Sequence, residues 1–195
     1  MIKQFFWNLC NVAHKYIAKP RIILGYKSKY NNVYLPQTRI SNTVNIVNPE
    51  KLNIANNIYI GHYSILECSN GITIAEGCQI CTNVLMTTHS SHIAIRLYGS
   101  HYIENNGHHT GYIVGGISIG KYSFIGPYST IMPNSSIGIG SIVSAYSYVK
   151  GDFPDFAIIA GNPAIAIGDT RSLDKRFLAK YPELQIYYDE WANNS

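Results

Sequence analysis

The sequence predicts an all-β protein whose short strands, joined by turns, wind into the stacked coils of a β-helix. An aliphatic residue recurs at every sixth position of one long stretch, at Ile113, Ile119, Ile125, Ile131, Ile137, Val143 and Val149. A helix would repeat about every 3.6 residues and a simple strand every 2, so a period of six requires a different repeating unit. The composition agrees, because 46% hydrophobic residues, 13% charged residues and 16 glycines suit short strands separated by frequent turns. Such coils bury a continuous aliphatic column.

A second periodic feature marks the turns between the strands. A small residue stands four places after most of these aliphatic residues, namely Ser123, Ser129, Ser135, Ser141 and Ser147. The aliphatic period also occurs earlier, at Ile54, Ile60 and Leu66 and, after a two-residue slip, at Ile74, Ile80 and Met86, with weaker matches at Ile40 and Ile46. We expect the aliphatic residues to form the core and the serines to lie where the wall bends.

The period lapses between Met86 and Ile113, and five of the seven histidines fall in that interval. We interpret residues 87–112 as a loop extruded from the wall of the β-helix. A long excursion from a regular scaffold more often carries function than not.

Three parts are expected along the chain: an N-terminal helix and cap over residues 1–39, the β-helix with its loop over 40–168, and a helical extension over 169–195. Apolar residues at helical spacing occupy positions 2 to about 19, where Pro20 ends the pattern. We interpret this helix as a cap over the first coil, while its lysines leave a membrane-surface role open. Asp169 and Pro182 each indicate the start of a short helix.

Charge and cysteine content exclude several classes of function. The net charge is +4, but the basic residues are scattered rather than clustered, so nucleic acid is not expected as a partner. Cys78 and Cys81 form a C-x-x-C pair without a second pair at zinc spacing, so we expect small buried residues and no bound metal. No apolar run approaches the roughly 20 residues needed to span a bilayer. The expected location is cytoplasmic, with the inner face of the membrane left open.

The six-residue repeat, the segment HSSH at residues 89–92 and the segment FPDFAIIAGNPA at residues 153–164 are together similar to the left-handed parallel β-helix hexapeptide-repeat acyltransferases, in the sugar and xenobiotic O-acetyltransferase branch. The resemblance covers residues 40–168. It implies acetyl-CoA as co-substrate and a homotrimer with active sites between neighbouring subunits.

The resemblance also implies roles for particular residues. His89, at the start of the loop, matches the family's catalytic base, and His92 is its competitor. Glu67 or Glu104 could orient a histidine. For the acceptor, His62 stands where some relatives carry a contacting Asn, and the loop residues Tyr98, Tyr102 and Tyr112 offer aromatic faces to a sugar.

For the coenzyme, Ala145 with its neighbour Ser144 matches the backbone that meets the thiol end, and Phe124 fills the place usually held by Trp. The turn formed by Gly161, Asn162 and Pro163 matches the one beside which the adenine lies. Two departures stand out. No basic residue follows Pro163-Ala164 to hold the 3′-phosphate, so Lys150 or Arg171 would have to substitute, or else Lys175 or Arg176. Pro127 stands where some relatives use a backbone N–H to stabilise the oxyanion, and proline has none.

The function implied is acetyl-CoA-dependent O-acetylation of a sugar hydroxyl in a sugar or glycan acceptor, in the synthesis of a bacterial surface polysaccharide such as capsule or O-antigen. A hydroxyl is a poor nucleophile at neutral pH, so direct attack on a thioester calls for a base, and imidazole suits that pH. Two alternatives stay open: N-acetylation of a nucleotide-linked amino sugar, and a non-catalytic β-helix scaffold.

Overall fold

The structure, a computed structural model, describes residues 2–17, 19–104 and 109–193. In chain order its helices and strands are α1 (Ile2–Ile17), β1 (Ile22–Lys27), β2 (Tyr34–Ser41), β3 (Asn45–Val47), β4 (Leu52–Ile54), β5 (Tyr59–Ile60), β6 (Ile65–Glu67), β7 (Ile72–Ile74), β8 (Gln79–Ile80), β9 (Leu85–Thr87), β10 (His89–Ser90), α2 (Ala94–Tyr98), β11 (Ile113–Val114), β12 (Ile117–Ile119), β13 (Phe124–Ile125), β14 (Thr130–Ile131), β15 (Ser135–Ile137), β16 (Ile142–Val143), β17 (Tyr148–Val149), β18 (Asp152–Phe153), β19 (Ala157–Gly161), β20 (Ala164–Asp169), α3 (Thr170–Lys180) and α4 (Gln185–Ala192). Short 3-10 turns cover Pro49–Lys51, Gly99–Glu104 and Pro182–Leu184.

Each coil contributes one short strand to each of three sheets, which form the walls of a β-helix. Sheet 1 has the order β1-β2-β5-β8-β13-β16-β19-β20, sheet 2 the order β17-β14-β9-β6-β3 and sheet 3 the order β18-β15-β12-β7-β4. Strands from successive coils pair in parallel, whereas within sheet 1 the end strand β1 pairs antiparallel with β2 and the end strand β20 pairs antiparallel with β19. We call the turns between sheets 1 and 2 the first corner (61–64, 81–84, 126–129, 144–147), those between sheets 2 and 3 the second corner (68–71, 88–116, 132–134, 150–151), and those between sheets 3 and 1 the third corner (75–78, 120–123, 138–141, 154–156).

The predicted aliphatic column forms the core. In sheet 1 the inward residues stack in register from coil to coil, in the order Ile40, Ile60, Ile80, Ile125, Val143 and Ile159, and none is more than 8% exposed. Tyr59 pairs with Gln79, twenty positions further on, whereas Phe124 pairs with Ile142, eighteen positions further on. The coil that begins at Phe124 therefore holds three hexapeptides, whereas the next coil, from Ile142 to its partner Ile158, is two residues shorter. The two-residue slip in the sequence reflects the longer early coils.

Four of the five serines of the repeat lie at the bends, as predicted, while Ser135 is the first residue of β15. Ser123, Ser129 and Ser141 are buried, and each hydroxyl donates to a carbonyl of the next coil: to Gly138 at 2.8 Å, Ser144 at 3.0 Å and Pro154 at 3.2 Å. A buried hydroxyl without such a partner would be costly. These small side chains therefore satisfy turn carbonyls while allowing the wall to bend.

The interpretation of Ile113 as the first core position of the long repeat is wrong. Ile113 is only half-buried and lies in β11, which pairs antiparallel with β10. Its spacing from Ile119 follows the period of six, but its strand belongs to a hairpin outside the coil. The excursion consequently occupies residues 88–116, between β9 and β12, rather than 87–112. The division of the chain into three parts stays a prediction.

The ends of the β-helix are covered differently. At the N-terminal end the first coil packs against Tyr26 of β1, while the described side chains 3–10 of α1 are exposed and do not form the expected cap. At the other end Asp169 caps α3 by accepting from the Arg171 N–H at 2.8 Å. Trp191 of α4 packs against Tyr122 and Phe156 at the third corner.

Within the part of the chain that the structure describes, no helix is both long enough and apolar enough to cross a membrane.

Several corner residues other than glycine adopt the left-handed backbone conformation. Asn57, Asn83 and Asn134 do so, and asparagine tolerates this conformation best after glycine. Five aromatic residues do so as well, namely Tyr63, Tyr122, Tyr128, Tyr146 and Phe156, with φ between 54° and 61°. The conformation costs an ordinary side chain roughly 1–2 kcal/mol. At the five aromatic residues, some other interaction or function must therefore offset this conformational cost.

Candidate active site

His89 and Glu67 form a hydrogen-bonded pair of titratable side chains outside the hydrophobic core. Glu67 ends β6 and pairs in register with Thr87, the last residue of β9. His89 follows two positions later, at the start of the excursion, and its Nδ1 lies 2.8 Å from Glu67 Oε2. The His89 side chain is 36% exposed and that of Glu67 is 13% exposed. The pair thus presents a histidine at the second corner and buries its carboxylate partner beneath it.

The Glu67 carboxylate is held by donors from two turns. Its Oε1 accepts from the Ser69 N–H at 2.9 Å and from the Ser69 hydroxyl, and its Oε2 accepts from the Thr88 N–H at 3.1 Å and the Thr88 hydroxyl at 2.8 Å. Burial raises the pKa of this carboxyl, but the hydrogen bonds from Ser69 and Thr88 together outweigh burial and lower the pKa to about 2. Glu67 is therefore a carboxylate at neutral pH.

The ionised state of Glu67 determines which ring nitrogen of a neutral His89 carries the proton. A carboxylate only accepts hydrogen bonds, so Nδ1 of a neutral His89 must carry the proton that lies between them. Nε2 then bears the lone pair. A histidine held in this way can accept a proton at Nε2, and the nearby carboxylate stabilises the imidazolium that results.

Tyr112, which the sequence predicts only as an aromatic face for a sugar, stacks on His89 with ring centroids 5.7 Å apart and an interplanar angle of 21°. Burial, together with the nearby Tyr102 and Glu67, raises the pKa of its phenol. Tyr112 directly precedes β11, whose Val114 pairs with His89. The base of the excursion thus restrains the histidine from both sides.

The other histidines of the excursion are less well placed for proton transfer. His92 is exposed, and its Nδ1 lies 2.7 Å from the Ser90 hydroxyl rather than from a carboxylate. His101 pairs with Glu104 at 2.8 Å, with both side chains exposed. His108 lies outside the described residues.

Two of the tyrosines predicted to contact the acceptor pack within the excursion. His109 stacks on Tyr102 with centroids 4.2 Å apart and meets Tyr98 edge-on at 4.9 Å. The Tyr98 hydroxyl also accepts from the Thr110 N–H at 3.1 Å. These contacts give both tyrosines a role in ordering the excursion, and their contact with an acceptor stays a prediction.

The first corner collects most of the other predicted site residues. Backbone hydrogen bonds link its turns coil by coil, from Asn83 N to His62 O, from Tyr128 N to Thr82 O and from Tyr146 N to Pro127 O. His62 lies on the second coil of this column, with Nδ1 2.7 Å from the Ser41 hydroxyl. Ser144 and Ala145 lie further along it.

The turn of Gly161, Asn162 and Pro163 joins β19 to β20 and continues the same corner, because the Ser144 N–H donates to Ile159 of β19. Phe124 faces outward on the adjoining sheet 1 and is 40% exposed. The residues assigned to the coenzyme by resemblance therefore follow one line along the β-helix.

At this corner the Ala145 amide is available to a ligand. Pro127 has no N–H, and those of Gly126 and Tyr128 donate to Val143 at 2.8 Å and Thr82 at 3.3 Å. In contrast, the Ala145 N–H has no hydrogen-bond partner among the described residues. A Cβ at position 126 would come within 2.6 Å of that nitrogen, so glycine leaves room beside it.

The two basic residues proposed for the 3′-phosphate are not brought to the first corner. Lys150 is exposed at the second corner. Arg171 lies near the third corner, where it pairs with Asp169 at 2.5 Å and covers the Phe156 ring at 4.8 Å. Their role in coenzyme binding stays a prediction.

Among the described residues no group of three or more His, Cys, Asp or Glu side chains is arranged to hold a metal ion. The Cys78 thiol is buried, lies 3.0 Å from the Gly120 carbonyl, and burial raises its pKa to about 11.

Comparison with known proteins gives the following similarities. No model of a protein family matches the chain. A segment of 65 residues is 38% identical to the putative acetyltransferase YvoF of Bacillus subtilis (strain 168), covering 33% of this chain and 38% of that protein. A longer segment of 131 residues is 28% identical to the galactoside O-acetyltransferase of Escherichia coli (strain K12), covering 66% of this chain and 59% of that one. The chain thus spans less than two thirds of the length of these relatives.

Among solved structures, the D94A mutant of AntD, an N-acyltransferase from Bacillus cereus in complex with dTDP and coenzyme A, superposes with a TM-score of 0.58. The sequences are 23% identical, and the match covers 74% of this chain and 89% of that one. These similarities confirm the predicted resemblance to hexapeptide-repeat acyltransferases and the β-helix fold.

Proposed function

We propose that this chain, which resembles the hexapeptide-repeat acyltransferases in sequence and in fold, transfers an acetyl group from acetyl-CoA to a hydroxyl of a sugar, with His89 as general base. The observation that carries the proposal is the contact of His89 with an ionised Glu67, because it leaves Nε2 of a neutral imidazole ready to accept a proton.

In the proposed reaction the acceptor oxygen attacks the thioester carbonyl carbon while its proton passes to His89 Nε2. The tetrahedral intermediate then collapses, the C–S bond breaks, and the imidazolium returns the proton to the thiolate of the coenzyme. Glu67 stabilises the imidazolium during this step. The Ala145 N–H is the donor we assign to the oxyanion, since Pro127 cannot serve and the neighbouring amides are engaged.

The same proposal includes a homotrimer with left-handed coils and active sites between subunits. His89 lies at the second corner and Ala145 at the first, on opposite edges of sheet 2, so a neighbouring subunit is needed to bring the base to the coenzyme. The outer face of sheet 2 supports such packing, because Val47, Ile65 and Leu85 are 38%, 42% and 36% exposed there. Ile65 and Leu85 pair in register, and Val47 lies on the adjacent strand of the same face. Apolar side chains exposed together on one face commonly mark a protein interface.

The acceptor we propose is a bacterial surface polysaccharide or its precursor, with the enzyme on the cytoplasmic side of the membrane. The N-terminal helix α1 supports this location, because Phe5, Phe6 and Trp7 are each more than half exposed and Lys3 is exposed beside them. Deleting residues 1–20 should abolish partitioning onto anionic vesicles, and full retention of partitioning would exclude α1 as the anchor.

A second candidate is N-acylation of a nucleotide-linked amino sugar. The similarity of the fold to AntD, an N-acyltransferase bound to dTDP and coenzyme A, favours it. The His89 and Glu67 pair would serve either acceptor, since an amine also loses a proton on acylation.

The deciding experiment measures thiol release from acetyl-CoA against a panel of surface glycans and of nucleotide-linked amino sugars, for the wild type and a folded His89→Ala variant. Release that depends on a glycan and disappears in the variant supports O-acetylation with His89 as base. Release with amino sugars alone favours the second candidate. Failure to bind coenzyme A would favour a non-catalytic β-helix scaffold over both acyltransferase functions.

A further inference from the structure

Three exposed tyrosines line the first corner in the left-handed backbone conformation. Tyr63, Tyr128 and Tyr146 have φ of 59°, 59° and 60°. Their exposed fractions are 54%, 52% and 70%. An aromatic residue is thus held in an unfavourable conformation on three coils of one corner while much of its ring faces outward.

Packing does not explain these tyrosines as it explains the aromatic residues of the third corner. Tyr122 and Phe156 have the same conformation, but their rings pack against Trp191 with centroids 4.8 Å and 6.0 Å away. On the coil between Tyr63 and Tyr128 the first corner carries Asn83 with a φ of 58°. Asparagine adopts this conformation more readily, so the fold itself does not require tyrosine at the first corner. Residues held in an unfavourable backbone conformation are often found at functional sites.

The rings of Tyr128 and Tyr146 are held in a defined arrangement. They stack with centroids 5.0 Å apart and an interplanar angle of 2°. Each ring orients the other, and the outer faces stay accessible. An aromatic face binds the C–H face of a sugar ring, while the phenol hydroxyl can exchange hydrogen bonds with sugar hydroxyls.

The position of the pair along the column points to the acceptor rather than to the coenzyme. In the proposed function the Ala145 N–H stabilises the oxyanion, so the reacting carbonyl lies beside Ala145. Tyr146 follows Ala145 directly, and Tyr128 lies in the adjacent turn on the preceding coil, whose Pro127 carbonyl accepts from the Tyr146 N–H. The tyrosines therefore stand where the coenzyme ends and the acceptor begins.

We propose that Tyr128 and Tyr146 form a stacking platform that selects the acceptor by binding a pyranose ring of the glycan. This inference rests on the proposed function. The platform would bind the ring next to the hydroxyl that reacts, and Tyr63 and His62 would extend it towards further sugar units.

The test is a double variant, Tyr128→Asn with Tyr146→Asn, because asparagine suits the backbone that it inherits. The KM for the glycan acceptor should rise about tenfold or more, as expected from the loss of about 1.4 kcal/mol of ring stacking. The KM for acetyl-CoA, the oligomeric state and the Tm should stay close to the wild-type values. Tyr122→Asn is the matched control, because it should lower the Tm through lost contact with Trp191 and leave the acceptor KM unchanged.

An unchanged acceptor KM would overturn the platform, and so would a rise confined to the KM for acetyl-CoA or a loss of the oligomer. Titration of the same glycans into the wild type and the double variant without coenzyme separates this inference from the proposed function. Glycan binding that the double variant loses supports the platform even if no acetyl group is transferred. Absence of binding to any glycan by the wild type overturns it.

Discussion

His89 Nδ1 and Glu67 Oε2 lie 2.8 Å apart although the two residues are 22 positions apart in sequence. The contact exists because one turn of the β-helix places β9 directly beside β6, so that Thr87 pairs with Glu67. The carboxylate is fixed by the wall of the β-helix, whereas the histidine belongs to the excursion. The wall of the β-helix thus orients a residue of the excursion.

Replacing His89 with alanine should lower kcat by about 10²- to 10⁴-fold, which is the usual contribution of a general base. The matched control is His92→Ala, which removes an exposed imidazole whose Nδ1 lies 2.7 Å from the Ser90 hydroxyl and should leave kcat within a few fold of the wild type. Steady-state kinetics with a saturating acceptor would measure both. If His92→Ala gave the larger loss, the assignment of the base would have to be reversed.

Glu67→Gln should lower kcat by up to about 10⁴-fold with little effect on either KM, since replacing the carboxylate beside a catalytic histidine with an amide imposes the wrong tautomer. An amide can donate to Nδ1, which would shift the imidazole proton to Nε2 and block proton acceptance there. The pH dependence of kcat should change along with its magnitude. A variant with wild-type kcat and an unchanged pH profile would show that Glu67 serves only the structure of the turn.

The same carboxylate should make stability depend on pH in the acid range. Its pKa is lowered from 4.5 to about 2 in the folded chain, so folding favours the ionised form. The stabilisation is complete above pH 4.5 and is lost as the pH falls through about 2. Urea unfolding should therefore show the wild type most stable relative to Glu67→Gln near neutral pH, with the difference narrowing towards pH 2. A constant difference would contradict the lowered pKa.

Ile131→Ala should lower the free energy of unfolding by about 2–5 kcal/mol, because it removes a fully buried side chain from the aliphatic column. Ile113→Ala, at a half-buried position in the hairpin of the excursion, should cost less. Denaturant unfolding of the two variants would compare them directly. Equal losses would mean that the excursion unfolds together with the core.

Gly126→Ala should weaken coenzyme binding and lower the Tm, because the new Cβ would come within 2.6 Å of Ala145 N and 2.7 Å of Val143 O. Overpacking of this kind costs roughly 1–3 kcal/mol. Gly168→Ala, whose Cβ would meet only the side chain of Ile158 at 3.3 Å, is a suitable control. Calorimetric titration of coenzyme A would show whether the loss at position 126 is specific.

The walls of the fold could be predicted from the sequence because each hexapeptide buries one aliphatic residue, so that Ile125, Ile131 and Ile137 mark three successive sheets. The prediction that Ile113 lies in the core was wrong, because a spacing of six residues does not distinguish a coil of the β-helix from a hairpin that leads back to it. The six-residue spacing does not predict whether two strands pair parallel or antiparallel, and β10 and β11 pair antiparallel.

The candidate site was only partly predictable for a related reason. His89 could be assigned from its motif, but its contact with Glu67 depends on the length of the coil. The two-residue slip after Leu66 held that information, because a coil of twenty residues places Thr87 opposite Glu67. Tyr112 had no comparable signal, since its stacking on His89 depends on the path of the excursion. Lys150 and Arg171 were chosen by charge alone, and charge does not indicate the corner at which a residue lies.

The hydrogen bond from the Gly115 N–H to the Thr88 carbonyl, at 3.0 Å, closes residues 88–116 into a loop at the wall of the β-helix. The entropic cost of closing a loop grows only with the logarithm of its length. Insertions and deletions inside the excursion should therefore change the stability of the β-helix little, while His89 at the base of the excursion keeps its position. Diversification of what the protein recognises can proceed in this segment by changes of length as well as by substitution.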